Sequence, residues 1–149
     1  FLINGGIEML RSFIKDIDEE AVIHNAEILK TQFAAEIDFL RNARYYYQYG
    51  KLLITHAGFD STAENWQDTS KQDFLWIREH YLHPNQTGLI NIFGHTPTRN
   101  MHNIDDIWIS PCQSYINIDG GCAYGGQLNA LLISEQGEIL ETFVVLPNK

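Results

Sequence analysis

The sequence predicts an α/β fold, and two features of its patterning predict it. The first third carries apolar residues spaced three and four apart, as on helix faces. The remainder carries short runs of aromatic and β-branched residues separated by glycine-rich turns. Periodicity alone gives helices first and strands later, an order that α+β proteins share.

Taken in order, Asn4-Gly5-Gly6 is a turn signal, because Asn and Gly tolerate positive φ. Ile7, Leu10 and Ile14 then fall on one face of a short helix, followed by the acidic stretch Asp16 to Glu20. Ala26, Leu29, Phe33, Ile37 and Leu40 predict a longer helix from about Asn25 to Asn42, with Asn25 or a neighbour as its cap. Tyr45 to Tyr49 and Leu52 to His56 read as a hairpin turned at Gly50-Lys51. A polar stretch, Asp60 to Lys71, leads into a helix carrying Phe74, Ile77 and Tyr81, which Pro84 terminates. Leu89 to Phe93 is an apolar strand ending at Gly94-His95-Thr96-Pro97. Further strands are expected at Ile107 to Ser110, Tyr115 to Ile118, Gln127 to Ile133 and Ile139 to Val145. No internal repeat, low-complexity tract or interdomain linker interrupts the 149 residues, which read as a single domain, 1–149.

The formal net charge of −9 argues against a nucleic-acid binder, which would show a basic face, and against docking on an anionic membrane. No apolar run is long enough for a transmembrane helix. Cys112 and Cys122 lack the spacing of a zinc knuckle or a disulfide framework, and reduced cysteines predict a cytoplasmic setting. The opening Phe1-Leu2-Ile3 has no initiator Met and no signal-peptide character, as in a chain cut from something longer.

The chemistry concentrates in two histidine turns. Leu52 to Gly58 and Ile90 to Pro97 share one design, in which a hydrophobic strand delivers His56 or His95 to its C-terminal edge beside glycine. Ligands gather at those edges in sheets packed between helices, and a neutral imidazole there can bind a metal through one ring nitrogen. Either histidine alone is equally well a turn residue bonded to backbone carbonyls; two such turns in one chain favour a shared site. His24, His80, His83 and His102 lie in polar or helical surroundings and read as surface residues.

These segments resemble the phosphoprotein phosphatases of the calcineurin-like metallophosphoesterases, in their bacterial branch of serine/threonine phosphatases and symmetrical bis(5'-nucleosyl)-tetraphosphatases. In chain order, Asn4-Gly5-Gly6 is similar to the turn after the family's Gly-Asn-His-Glu motif. Thr55-His56-Ala57-Gly58 and Gly94-His95-Thr96-Pro97 are similar to its downstream metal-histidine motifs, and Leu75-Trp76-Ile77-Arg78-Glu79 to its phosphate-binding arginine segment. Asp119-Gly120-Gly121 and Tyr124 to Ala130 resemble its closing strands. The upstream motifs Gly-Asp-x-His-Gly, Gly-Asp-x-x-Asp-Arg-Gly and Gly-Asn-His-Glu are absent from the 149 residues.

The resemblance implies the C-terminal part of a two-sheet sandwich flanked by helices, and thus a partial domain without the N-terminal metal-binding motifs. It implies two divalent metal ions, manganese first and iron or zinc next, with His56 and His95 on one of them. It further implies hydrolysis of a phosphoester, with a serine/threonine phosphoprotein as the leading substrate and a dinucleoside polyphosphate as the alternative. The chain alone is then expected to be inactive, to associate with a missing N-terminal half or with itself, or to be a non-catalytic scaffold.

Arg78 is the catalytic and substrate-binding candidate, since a guanidinium fork bonds two phosphoryl oxygens at once; on helix reading alone it is an exposed arginine paired with Glu79 or another carboxylate, such as Asp73. Tyr124, between glycines, either lines the pocket mouth and binds substrate or packs as an aromatic. Asp119 reads as a turn residue with a supporting role open to it, and Trp76 as a residue packed in the core or against the sheet.

Overall fold

A computed structural model describes residues 5–14, 17 and 21–147, in two compact units, Phe1–Ala43 and Arg44–Lys149. The expectations for Asn4 and for most of the acidic stretch lie outside the described residues.

The first unit is helical, with α1 (Gly6–Phe13), α2 (Val22–Gln32) and α3 (Ala34–Arg41). The predicted long helix is therefore two helices, divided at Phe33 (φ −125°, ψ 37°). One cause is visible in the last turn of α2. The Thr31 hydroxyl donates to the carbonyls of Glu27 (2.8 Å) and Ile28, competing with the helix ladder. The Phe33 ring meets Phe13 edge-on at 5.0 Å. Asn25 is no cap; it lies buried inside α2.

The second unit contains both sheets. Five strands are ordered β1-β2-β3-β5-β4: β1 (Tyr46–Tyr49), β2 (Leu52–Thr55), β3 (Ile90–Phe93), β4 (Trp108–Ile109) and β5 (Tyr115–Asn117). The central strands β2, β3 and β5 are parallel, and β1 and β4 run antiparallel at the edges. A separate hairpin joins β6 (Leu128–Ile133) and β7 (Ile139–Val145). The hairpin expected at Gly50-Lys51 is present, with Gly50 at φ 54°.

Consecutive residues of the central strands are buried on opposite faces, the pattern of a sheet covered on both sides. One face packs Leu53, Phe93 and Tyr115 with Phe59 and Phe74; the other packs Leu52, Ile92 and Ile116 against Leu131 and Ile133 of β6. The unit is thus mixed α/β with a five- and a two-stranded sheet. No described helix is long and apolar enough to cross a membrane.

The helix expected to carry Phe74, Ile77 and Tyr81 is shorter than its spacing predicts. It is α4 (Lys71–Trp76), capped by Ser70, whose hydroxyl oxygen accepts from Asp73 N at 3.0 Å. It stops because the backbone N–H of Ala57 donates to Phe74 O (3.1 Å), so the turn after β2 satisfies a carbonyl that a continuing helix would use. Ile77 is extended, Glu79 is left-handed at φ 66°, and His80–Leu82 forms a 3-10 turn. A short helix, α5 (Arg99–His102), follows the second histidine turn without having been foreseen.

Candidate functional site

Parallel pairing of β2 and β3 sets Leu53 beside Asn91 and Ile54 beside Ile92, so the two strands end together. The turns beyond them are stitched by the Gly94 N–H donating to His56 O (2.9 Å). As a result His56 Nε2 and His95 Nδ1 stand 3.2 Å apart, with ring centroids 5.0 Å apart. The sheet register thus converges the two histidines that the sequence singled out.

The second turn is tightly constrained. His95 adopts φ 69°, a left-handed conformation that costs a non-glycine residue roughly 1–2 kcal/mol. Thr96 N donates back to Gly94 O (2.8 Å), Asn117 Nδ2 to Thr96 O (2.7 Å) and Thr98 N to Asp119 O (2.8 Å). The first bond closes the turn on itself and the other two tie it to β5 and its end, which holds the strained residue in place; such strain clusters at functional sites. His95 Nε2 is buried without a hydrogen-bond partner among the described residues. Burial, then the Arg78 charge, then His56 hold the His95 imidazole below its ordinary pKa, with Asp119 acting in the opposite direction. These surroundings favour the neutral ring, the form that ligates metals.

Arg78 is exposed and lies beyond α4 rather than on a helix. Its Nη1 donates to Thr96 Oγ1 at 2.9 Å, which ties the arginine to the residue following His95. The expected alternative of a pair with Glu79 or Asp73 is not what forms: the Asp73 carboxylate accepts from Ser70 Oγ (2.7 Å). Asp119 is a turn residue first, its Oδ1 accepting from Gly121 N (2.9 Å), and its charge still reaches His95.

Tyr124 ends a 3-10 turn, Cys122–Tyr124, and is 78% exposed, which excludes the packed alternative. No described contact joins it to His56, His95 or Arg78. The polar stretch from Asp60 rims a cavity of about 160 Å³ with Gln86 and Thr87, and neither site histidine lines it. Both cysteines are free.

Two residues were read differently from the sequence than the structure places them. Trp76 is not packed away: it is 48% exposed, and its ring meets His95 at 5.4 Å with planes perpendicular. His80 is not on the surface but 2% exposed among Phe59, Phe93 and Tyr115. Asn91 Nδ2 donates to Leu53 O and to Thr55 Oγ1, both at 3.0 Å, so Asn91 Oδ1 accepts from His80 Nε2 at 3.0 Å. This buried chain of bonds ends at Thr55, the residue before His56.

Among the described residues, no group of three or more His, Cys, Asp and Glu side chains is placed to hold a metal ion. The two histidines form a convergent pair short of a complete ligand set. Models of protein families, curated proteins and solved structures yield no match to this chain.

Proposed function

We propose that this chain supplies part of the active centre of a metal-dependent phosphoester hydrolase of the calcineurin-like kind. The single observation that carries this reading is the 3.2 Å approach of His56 Nε2 and His95 Nδ1 at the ends of neighbouring parallel strands. The two nitrogens are hydrogen-bonded at this distance, and an ion held by both would take the place of the proton they share. His95 Nε2, buried and unpartnered, is the nitrogen that in such a pair calls for an acceptor behind it.

In this reading His56 and His95 hold one of two divalent ions, manganese before iron or zinc. The pair of ions supplies a water of lowered pKa and a clamp on the phosphoryl oxygens. The chain's own residues bind and orient. The two histidines fix the ligand direction, and the strained turn at His95 holds it. Arg78, anchored by one nitrogen on Thr96, presents its remaining donors to a phosphoryl group and stays charged throughout. Tyr124 stands as the candidate at the mouth. A serine/threonine phosphoprotein is the first substrate to test and a dinucleoside polyphosphate the second. The remaining oxygen ligands come from another segment or polypeptide.

Isothermal titration of the chain with zinc and with manganese tests the pair directly. One ion per chain is expected, and His56→Ala or His95→Ala abolishes it. Uptake that survives both substitutions, or no uptake at all, rejects the metal reading. Arg78→Ala in the enzyme carrying all its ligands is expected to lower phosphopeptide turnover about a hundredfold with metal content intact. Unchanged kinetics would remove Arg78 from the centre.

The shortage of donors among the described residues favours a second reading, a scaffold without chemistry. Metal uptake that depends on both histidines argues against it.

A further inference from the structure

Trp76 is the residue near the histidine pair that the metal reading leaves without a task. An indole left 48% exposed forgoes much of the burial such a side chain normally gains, although α4 places Phe74, two residues earlier, fully in the core. The placement is built rather than loose. Ala57 N holds Phe74 O, so the end of α4 is fastened to the His56 turn, while Arg78 on the other side of Trp76 is fastened to Thr96. Trp76 is therefore set between two anchors, each leading to one site histidine. Its perpendicular contact with His95 fixes the ring at 5.4 Å and leaves indole surface open beside the pair.

We infer that Trp76 is a specificity residue: a stacking platform for a flat aromatic group attached to the phosphoester bound by Arg78. The inference rests on the phosphoester reading above and narrows its substrate class. Two arguments support it. A tryptophan face is sequence-tolerant and chemistry-tolerant, since any aromatic ring can stack on it, and base–aromatic stacking contributes measurably per ring. The separation of roles is also physical: Arg78 recognises charge, and Trp76 recognises a planar substituent near that charge. A methyl or seryl ester offers nothing to stack, so on this inference a dinucleoside polyphosphate moves ahead of a serine/threonine phosphoprotein. An aryl ester offers a ring directly on the ester oxygen, and a nucleotide offers one beyond its sugar.

The test compares three monoesters of equal charge by isothermal titration calorimetry on the manganese-supplied protein carrying all its ligands: methyl phosphate, phenyl phosphate and AMP. Phenyl phosphate or AMP is expected to bind about five- to tenfold more tightly than methyl phosphate. Trp76→Ala should bring the aromatic ester down to the methyl phosphate value, and Trp76→Phe should retain most of the preference. Which of phenyl phosphate and AMP gains more distinguishes an aryl ester from a nucleotide as the source of the ring. Zinc uptake in the same variants checks that the histidine pair survives. Equal affinity for methyl and aromatic esters, or a preference that persists in Trp76→Ala, overturns the inference while leaving the phosphoester reading intact. Failure of all three esters to bind overturns both.

Discussion

Gly58→Ala is expected to destabilise the Arg44–Lys149 unit by roughly 3–5 kcal/mol, from the sum of backbone strain and overpacking. Gly58 adopts φ 146°, a conformation that L side chains rarely take. A Cβ there would stand 2.5 Å from His80 Nδ1 and 2.7 Å from Nε2, distances that real Cβ atoms do not reach. The ring cannot yield easily, because Phe93 lies at 4.5 Å between centroids, Tyr115 at 5.4 Å and Phe59 at 5.8 Å. A closely packed interior transmits such an insertion instead of absorbing it. The urea midpoint should fall by about 2 M with an unchanged slope.

A double-mutant cycle separates the two contributions. In a His80→Ala background the steric part disappears, so Gly58→Ala should cost about half as much as in the wild-type protein. The same cost in both backgrounds, or an unchanged midpoint in the single variant, would show that the ring does not confine this turn. The result bears on function as well, since Gly58 lies two residues from His56. A displaced turn would move that histidine away from His95, and the zinc uptake of Gly58→Ala should weaken with its stability.

Strand patterning made the sheet legible. Every strand expected from its aromatic and β-branched run exists, because such side chains fit a pleated surface wherever the chain places them. The histidine pair was legible for a related reason: a strand ending in a glycine turn puts the next side chain at the sheet edge, and parallel neighbours end together. What was not legible depended on partners remote in sequence. The end of α4 is set by a backbone donor at Ala57, seventeen residues before Phe74. That one bond leaves Trp76, expected in the core or against the sheet, half exposed, and moves Arg78 off the helix. His80 was read as superficial because its neighbours Glu79 and His83 are polar. The 3-10 turn after the left-handed Glu79 rotates it into an aromatic cage supplied by β3, β5 and the His56 turn. The division of the long helix at Phe33 was hidden for a different reason, since Phe33 continues the apolar spacing on both sides of the break.

Acidification should weaken the same unit by roughly 3 kcal/mol through His80 alone, and the sign follows from its surroundings. Burial pushes the imidazole down from 6.5 to about 4, and the hydrogen bond to Asn91 only partly opposes this. Asn91 Oδ1 accepts from Nε2, so protonation would add a second N–H, on Nδ1, where no acceptor stands. Above pH 6.5 His80 is neutral in both states and its contribution is complete. Between pH 6.5 and about 4 the unfolded chain takes up a proton that the folded chain refuses, and stability falls with pH across that window. Asp60, whose carboxyl is held low by the Thr62 hydroxyl and backbone N–H, adds its loss only below the ordinary carboxylate range. The two contributions are therefore separated in pH. Urea melts between pH 7 and pH 4.5 check the first of them. His80→Gln, which keeps a donor for Asn91 and cannot titrate, should be less stable at pH 7 but flatter with pH. A variant as steep as the wild-type protein would mean that His80 is protonated in the fold after all, and that the buried chain from His80 through Asn91 to Thr55 does not hold a neutral ring beneath the His56 turn.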